Sequence, residues 1–165
     1  MNAKSKKQNL VVTRTIQAPI EQVWKAWSSP EYVKKWWGPN GFICPMAQMN
    51  FREGGTSLVC MRAPKEFGGQ DMYNTWTYEK IVPMKQIIYI LRFSDKNGNT
   101  IEPTAQGLPS EMSKEVRNEV IFKNIGNGKT ELTITEYDWA VGQMMEMSKV
   151  GLEQCLDKMA KIFAE

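Results

Sequence analysis

Between residues 42 and 139 apolar side chains recur with a period of two, and one long amphipathic segment follows them. Any sheet built from these strands therefore has a single long helix to cover it. That helix must either fill the concavity of the sheet or roof a cavity, and the choice sets what the protein can do.

The order of elements follows from local chemistry. Asn9 to Gln17 is rich in β-branched residues and predicts a first strand. Pro19 suits the first turn of a helix, and Ile20, Val23, Trp24 and Trp27 continue at helical spacing to Ser28. Ser29 is placed to cap a second short helix with Tyr32, Val33, Trp36 and Trp37, which Gly38-Pro39-Asn40-Gly41 ends. Strands are predicted at 42–51, 56–63, 72–82, 86–94, 115–125 and 129–138, the last two joined by the hairpin signal Gly126-Asn127-Gly128. A helix of about 20 residues closes the chain. This order gives an α+β fold with a mainly antiparallel sheet, one domain over 1–165. Residues 1–7 read as a flexible tail. The stretch 95–114, punctuated by Asn97-Gly98-Asn99, Pro103 and Gly107-Leu108-Pro109, reads as a long irregular loop suited to a lid.

Composition excludes several functions. Three cysteines at wide spacing, with no CxxC pair, suggest neither a disulfide framework nor a zinc site, and reduced thiols point to the cytoplasm. No apolar run approaches the roughly 20 residues of a membrane span. A net charge of +3, with basic residues scattered among nearly as many acids, argues against nucleic acid. The chain has no histidine, which removes histidine-based triads, histidine metal ligands and the commonest general base. No phosphate-binding glycine loop is present. No metal, cofactor or catalytic residue is expected on these grounds.

The closing helix carries Val141, Met144, Met145, Ser148, Leu152, Cys155, Leu156, Met159, Ile162 and Phe163 as a stripe, flanked by Met147, Val150 and Gly151. This stripe is either a packed core face or, around 144–151, the wall of a tolerant apolar pocket, since thioethers adapt to varied guests and glycine permits close approach. Alternation on the strands predicts inward sets Trp76, Tyr78 and Lys80; Leu132, Ile134 and Glu136; Ile88, Ile90 and Arg92; and Leu58, Cys60 and Arg62. Buried charges need partners, so Arg62, Lys80 and Arg92 meeting Glu136 would form a structural network or a ligand anchor. Trp36 and Trp37 fall at the expected mouth, one packing inward and the other partly closing the entrance. The cavity set is thus Trp37, Arg62, Trp76, Tyr78, Arg92, Glu136, Met144, Met147 and Gly151.

Several segments together carry a resemblance. Ala18-Pro19-Ile20-Glu21-Gln22-Val23-Trp24-Lys25-Ala26-Trp27, Pro30-Glu31 and Lys35-Trp36-Trp37-Gly38-Pro39 are followed in order by Asn50 to Gly55, Tyr78 to Pro83, Thr130 to Glu136 and Gly151 to Lys158. The chain resembles the family named for the activator of the ninety-kilodalton heat-shock chaperone's ATPase, within the START-like, helix-grip superfamily. It departs from the family pattern at Asn50, Glu53, Lys80 and Leu152. The resemblance implies a curved antiparallel sheet gripping the C-terminal helix, with a pocket between them. It leaves three functions open: a binding protein for a hydrophobic or aromatic small molecule, an interaction module stimulating a heat-shock chaperone ATPase, or a cyclase-like or hydrolytic enzyme using Glu136 or Tyr78 as acid or base. The protein is expected to act as a monomer or homodimer.

Overall fold

Seven strands form one antiparallel sheet in the computed structural model, which describes residues 6–164. They are β1 (Lys7–Ile16), β2 (Ile43–Gln48), β3 (Thr56–Arg62), β4 (Asp71–Val82), β5 (Gln86–Ser94), β6 (Glu115–Gly126) and β7 (Lys129–Ala140), in the order β1-β7-β6-β5-β4-β3-β2. The first two strands lie at opposite edges. The helices between them, α1 (Ile20–Ser28) and α2 (Pro30–Trp36), therefore carry the chain from one edge to the other, and α3 (Gln143–Ile162) lies in the curved sheet. This is the antiparallel α+β fold that the element order predicted, in the helix-grip arrangement that the family resemblance implied. Of the tail expected at 1–7, residues 1–5 lie outside the described residues, while Lys7 already belongs to β1.

Aromatic side chains fill the middle of the concavity. Trp27, Trp36, Trp76 and Tyr89 form a cluster whose neighbouring ring centroids lie 4.7–6.5 Å apart, and Tyr78 and Phe51 continue it to Trp24 and Phe122. Trp36 and Trp76 are fully buried. Trp36 satisfies its indole by donating Nε1–H to the Ala26 carbonyl at 2.7 Å. Ser29 holds the N-cap position of α2, but its hydroxyl donates to the Glu31 carboxylate instead of capping the helix.

Two bulges reset which side chains face inward. Between Tyr78 and Lys80 the pairing with β5 slips by one residue, so Glu79 and Lys80 are both exposed and Ile81 returns to the inner side. Lys80 does not follow Trp76 and Tyr78 inward, as strict alternation had predicted. The second bulge separates Gln8 from Leu10 opposite β7, where Asp138 sits at φ +60°. The Asn9 side chain accepts the Asp138 amide N–H at 3.2 Å and fixes this kink.

The C-terminal half of α3 is core: Leu156 and Met159 are fully buried. Lys158, one helical turn below Gln154, donates Nζ–H bonds to the carbonyls of Gly38 (2.7 Å), Pro39 (3.0 Å) and Phe42 (2.9 Å). Gly38 supplies the φ of +112° that lets the turn after α2 present these carbonyls together. Gln154 Oε1 accepts a further bond from the Asn40 N–H at 3.0 Å. The stretch 95–114 is more ordered than its composition predicted. It contains a 3₁₀ turn at Pro103–Gln106, and Gln106 donates Nε2–H to the carbonyls of Ser94 (3.2 Å) and Tyr73 (3.4 Å).

Replacing Lys158 by Met keeps the aliphatic stem and removes all three donors. A hydrogen bond to a charged group contributes about 1.5–3 kcal/mol in mutational series, but these three share one partly exposed ammonium whose desolvation offsets much of their sum. Urea denaturation of Lys158→Met is expected to show a loss of about 2 kcal/mol with an unchanged m-value; a loss below about 0.5 kcal/mol would mean that the turn holds its place without the lysine.

Candidate functional site

The two halves of α3 meet the sheet differently because their inner residues differ in size. Where Leu156 and Met159 face the sheet, the space is filled. One to three turns earlier the inner residues are Met144, Ser148, Gly151 and Leu152, and they face Asn74, Leu91, Phe93, Val116, Asn118 and Glu136 across a pocket of about 270 Å³. Serine and glycine on the helix remove volume. Opposite them the polar strand residues Asn74, Asn118 and Glu136 are exceptions to the apolar alternation around them. Trp37 and Pro39 close one side, Met61 and Met72 another, and Leu108 and Met112 from the long loop a third.

Glu136 is the only charged residue lining this pocket among the described residues. Its Oε1 accepts two bonds, from Trp139 Nε1–H at 2.9 Å and from Ser148 Oγ–H at 3.2 Å. Oε2 accepts none among the described residues. The bulge at Asp138 makes the first of these bonds possible: without the extra residue Trp139, three positions on, would point to the other face. Burial in these apolar surroundings pushes the Glu136 carboxyl above the ordinary glutamate range, and the two donors only partly offset it. A cross-strand row places Tyr78, Tyr89, Asn118 and Glu136 side by side from β4 to β7. Asn118 donates Nδ2–H to the Val116 carbonyl at 3.1 Å.

Of the nine residues proposed from sequence, Trp37, Glu136, Met144, Met147 and Gly151 border this pocket. The other four lie elsewhere. Arg62 and Arg92 point to the opposite face of the sheet, because the inner face of β3 is carried by Ser57, Val59 and Met61 and that of β5 by Tyr89, Leu91 and Phe93. Each arginine pairs with its cross-strand partner, Arg62 Nε with Asp71 Oδ1 at 2.7 Å and Arg92 Nε with Glu115 Oε2 at 2.8 Å. The network of Arg62, Lys80 and Arg92 with Glu136 therefore does not form. Trp76 lies in the aromatic core. Tyr78 is also buried there, its hydroxyl 2.8 Å from Ser57 Oγ, and burial pushes it up to about 12.

Sequence reasoning missed Asn74, Asn118 and Trp139. Asn118 shares its strand parity with Val116 and Val120, and Asn74 with Trp76, so alternation could have found both. Trp139 was missed because a lone aspartate, though tolerant of the left-handed region, is too common on strand surfaces to mark a bulge at Asp138. Trp37 packs edge-on to Trp76 at 5.1 Å, and its Nε1 is buried with no hydrogen-bond partner among the described residues. All three cysteines are free and buried. Desolvation raises Cys155, beside the pocket, to about 11, which makes it a poor nucleophile. Among the described residues no group of three or more potential ligand side chains could hold a metal ion, and no helix is long and apolar enough to cross a membrane.

The raised Glu136 fixes the sign of a pH effect. Its carboxylate form is disfavoured in the folded state relative to the unfolded chain, so a folding penalty is present above its folded pKa and disappears as pH falls through that value toward 4.5. Glutamine can still accept both bonds and carries no charge. Glu136→Gln is expected to melt above the wild type at neutral pH, with the gap closing as pH falls toward the ordinary glutamate range. A variant that melts below the wild type at neutral pH, by a margin that shrinks as pH falls, would show that the folded protein favours the charged form.

Comparison with known proteins agrees with this architecture. Residues 17–164 match the family model described as activator of Hsp90 ATPase homolog 1-like protein. No curated protein matches the chain significantly. Among solved structures, a protein from Chromobacterium violaceum superposes with a TM-score of 0.76 at 24% identity, covering 95% of this chain and 97% of that one. A solution structure from Staphylococcus epidermidis gives 0.76 at 23%, covering 99% and 94%. The AHSA1 protein of Silicibacter pomeroyi gives 0.74 at 17%, covering 95% and 98%. At these identities the likeness speaks for the fold, while the family model spans almost the whole sequence: the chain belongs to the family of proteins like the activator of Hsp90 ATPase homolog 1, in the START-like superfamily.

Proposed function

We propose that the protein binds an apolar or aromatic small molecule between the N-terminal half of α3 and the sheet, with the loop 95–114 as its lid. The observation that carries this reading is the juxtaposition of small helix residues, Ser148 and Gly151, with polar strand residues, Asn118 and Glu136, across an otherwise apolar pocket. Its volume of about 270 Å³ lies just under the roughly 300 Å³ at which small-molecule sites begin, enough for one or two rings. Walls of Met61, Met72, Met112, Met144 and Met147 adapt to guests of differing outline. Leu108 and Met112 supply the lid's apolar contacts, and Met147, more than half exposed, stands at the mouth.

Gly151 supplies the test. A Cβ added there meets only Pro39 Cβ, at 3.8 Å, so a side chain can be accommodated at the backbone and will extend toward the pocket. A ligand at a hundredfold its dissociation constant stabilises a folded protein by about 2.7 kcal/mol, roughly 5–10 °C for a domain of this size. A thermal-shift screen of one- and two-ring apolar compounds is expected to yield such shifts for the wild type and none for Gly151→Leu, with mass spectrometry of organic extracts identifying what copurifies. Equal shifts for both proteins would place the binding elsewhere.

Two further readings have narrower support. The raised carboxyl of Glu136 at the pocket wall suits a general acid, and turnover of a bound ligand that Glu136→Gln abolishes would support catalysis. Tyr78 drops out as a candidate because its hydroxyl is buried against Ser57. Stimulation of a heat-shock chaperone ATPase rests on the family description, and an ATPase assay with the chaperone of the source organism tests it.

A further inference from the structure

Resting on the binding role proposed above, we infer that the pocket selects a lipophilic cation: an apolar molecule bearing one protonated amine, for which Glu136 is the counter-ion and Asn118 a second acceptor.

Trp139 Nε1–H and Ser148 Oγ–H both donate to Oε1 of Glu136, so both nearby donors are used on one oxygen. Oε2 is left as an acceptor without a partner among the described residues. Asn118 lies directly across the strand pair from Glu136 and spends its Nδ2–H on the Val116 carbonyl. The amide orientation follows from that bond, since a carbonyl requires a donor, and Oδ1 is left without a partner among the described residues. Two neighbouring acceptors therefore remain in the floor of the pocket, while the Trp139 and Ser148 donors beside them are taken and Asn118 keeps one further Nδ2 N–H. An ammonium group, with three N–H donors and a positive charge, matches that pair; a ligand carbonyl does not.

Charge points the same way. No lysine or arginine lines the pocket among the described residues, and the arginines of the adjoining strands are engaged on the other face, Arg92 with Glu115 and Arg117 with Glu79. A half-buried carboxyl facing apolar walls with no protein cation is disfavoured as an anion until something supplies the charge. Trp139, Phe93 and the methionines give the remainder of an ammonium-bearing ligand apolar and aromatic contacts. Among the described residues the pocket's unspent donors are Trp37 Nε1, which is occluded, and the second Nδ2 N–H of Asn118 and of Asn74; all are neutral and cannot compensate the carboxylate charge.

Binding is then linked to protons. Facing Glu136 are Tyr89 from β5 and Cys155 from α3, both held neutral by burial, with Leu10 from β1 and Asn118 from β6 bringing no charge. The ammonium pairs with the ionised carboxylate, so at a pH where free Glu136 is protonated, binding releases that proton. Affinity for an amine rises with pH through the titration range of Glu136 and levels above it, while affinity for a neutral molecule does not.

Three probes of one shape separate the possibilities: biphenyl-4-ylmethylamine, biphenyl-4-ylmethanol and biphenyl-4-carboxylate, titrated calorimetrically between pH 5 and 8.5. In the wild type at pH 8 the amine is expected to bind at least about tenfold tighter than the alcohol, and the carboxylate weakest of the three. Glu136→Gln is expected to bring the amine within about twofold of the alcohol and to abolish its pH dependence. The wild-type pH series gives the same discrimination without a variant. If the alcohol binds as tightly as the amine at every pH, the cation assignment is overturned and the binding role stands; if none of the three binds, both fall.

Discussion

Everything that distinguishes this molecule depends on how α3 is seated in the sheet. Leu156 and Met159 press its C-terminal half into the aromatic core, and Lys158 ties the same half to the turn after α2 through three carbonyls. Anchored at that end, the helix runs out over the strands with its N-terminal half facing residues that cannot close onto it. Ser148 and Gly151 are too small, and Asn118 and Glu136 too polar, to make the dry contact that Leu156 makes further on. Helix and sheet therefore both fill the concavity and roof a pocket, in successive turns of one element.

Glu136 shows how the fold maintains a group it would otherwise reject. A carboxyl among methionines and aromatic rings is unfavourable as an anion, and here it is held by a hydroxyl from α3 and an indole from its own strand. The indole reaches it through the bulge at Asp138, which the Asn9 side chain fixes from the edge strand. A kink at the margin of the sheet thus determines the polarity of the pocket floor.

The architecture was legible in the sequence because its signals are local. Strand periods, the Gly126–Gly128 turn, the proline-started helices and the terminal stripe each predict one element, and the structure places each within a few residues of its expected bounds. The candidate site was legible only on α3 and at Trp37 and Glu136. Alternation failed at Lys80, because a bulge inserts an extra residue after Tyr78, and at Arg62 and Arg92, because the parity of β3 and β5 had been set by Leu58 and Ile88 when Val59 and Tyr89 carry the inner face. Both faces of those strands bear apolar residues, so periodicity alone could not orient them. The loop 95–114 reads as irregular from its prolines and glycines, yet its leucine and methionine border the pocket, a contact between segments far apart in sequence.

Space persists beneath the N-terminal half of α3, while the C-terminal half is packed solid. Xenon enters apolar cavities without requiring a specific partner, and a crystal of the protein under xenon pressure reports such space directly. Xenon density between Met144, Leu91 and Phe93, with none beside Leu156 and Met159, is the predicted result. Density absent from both places, with side chains interlocked under Ser148 and Gly151, would contradict it.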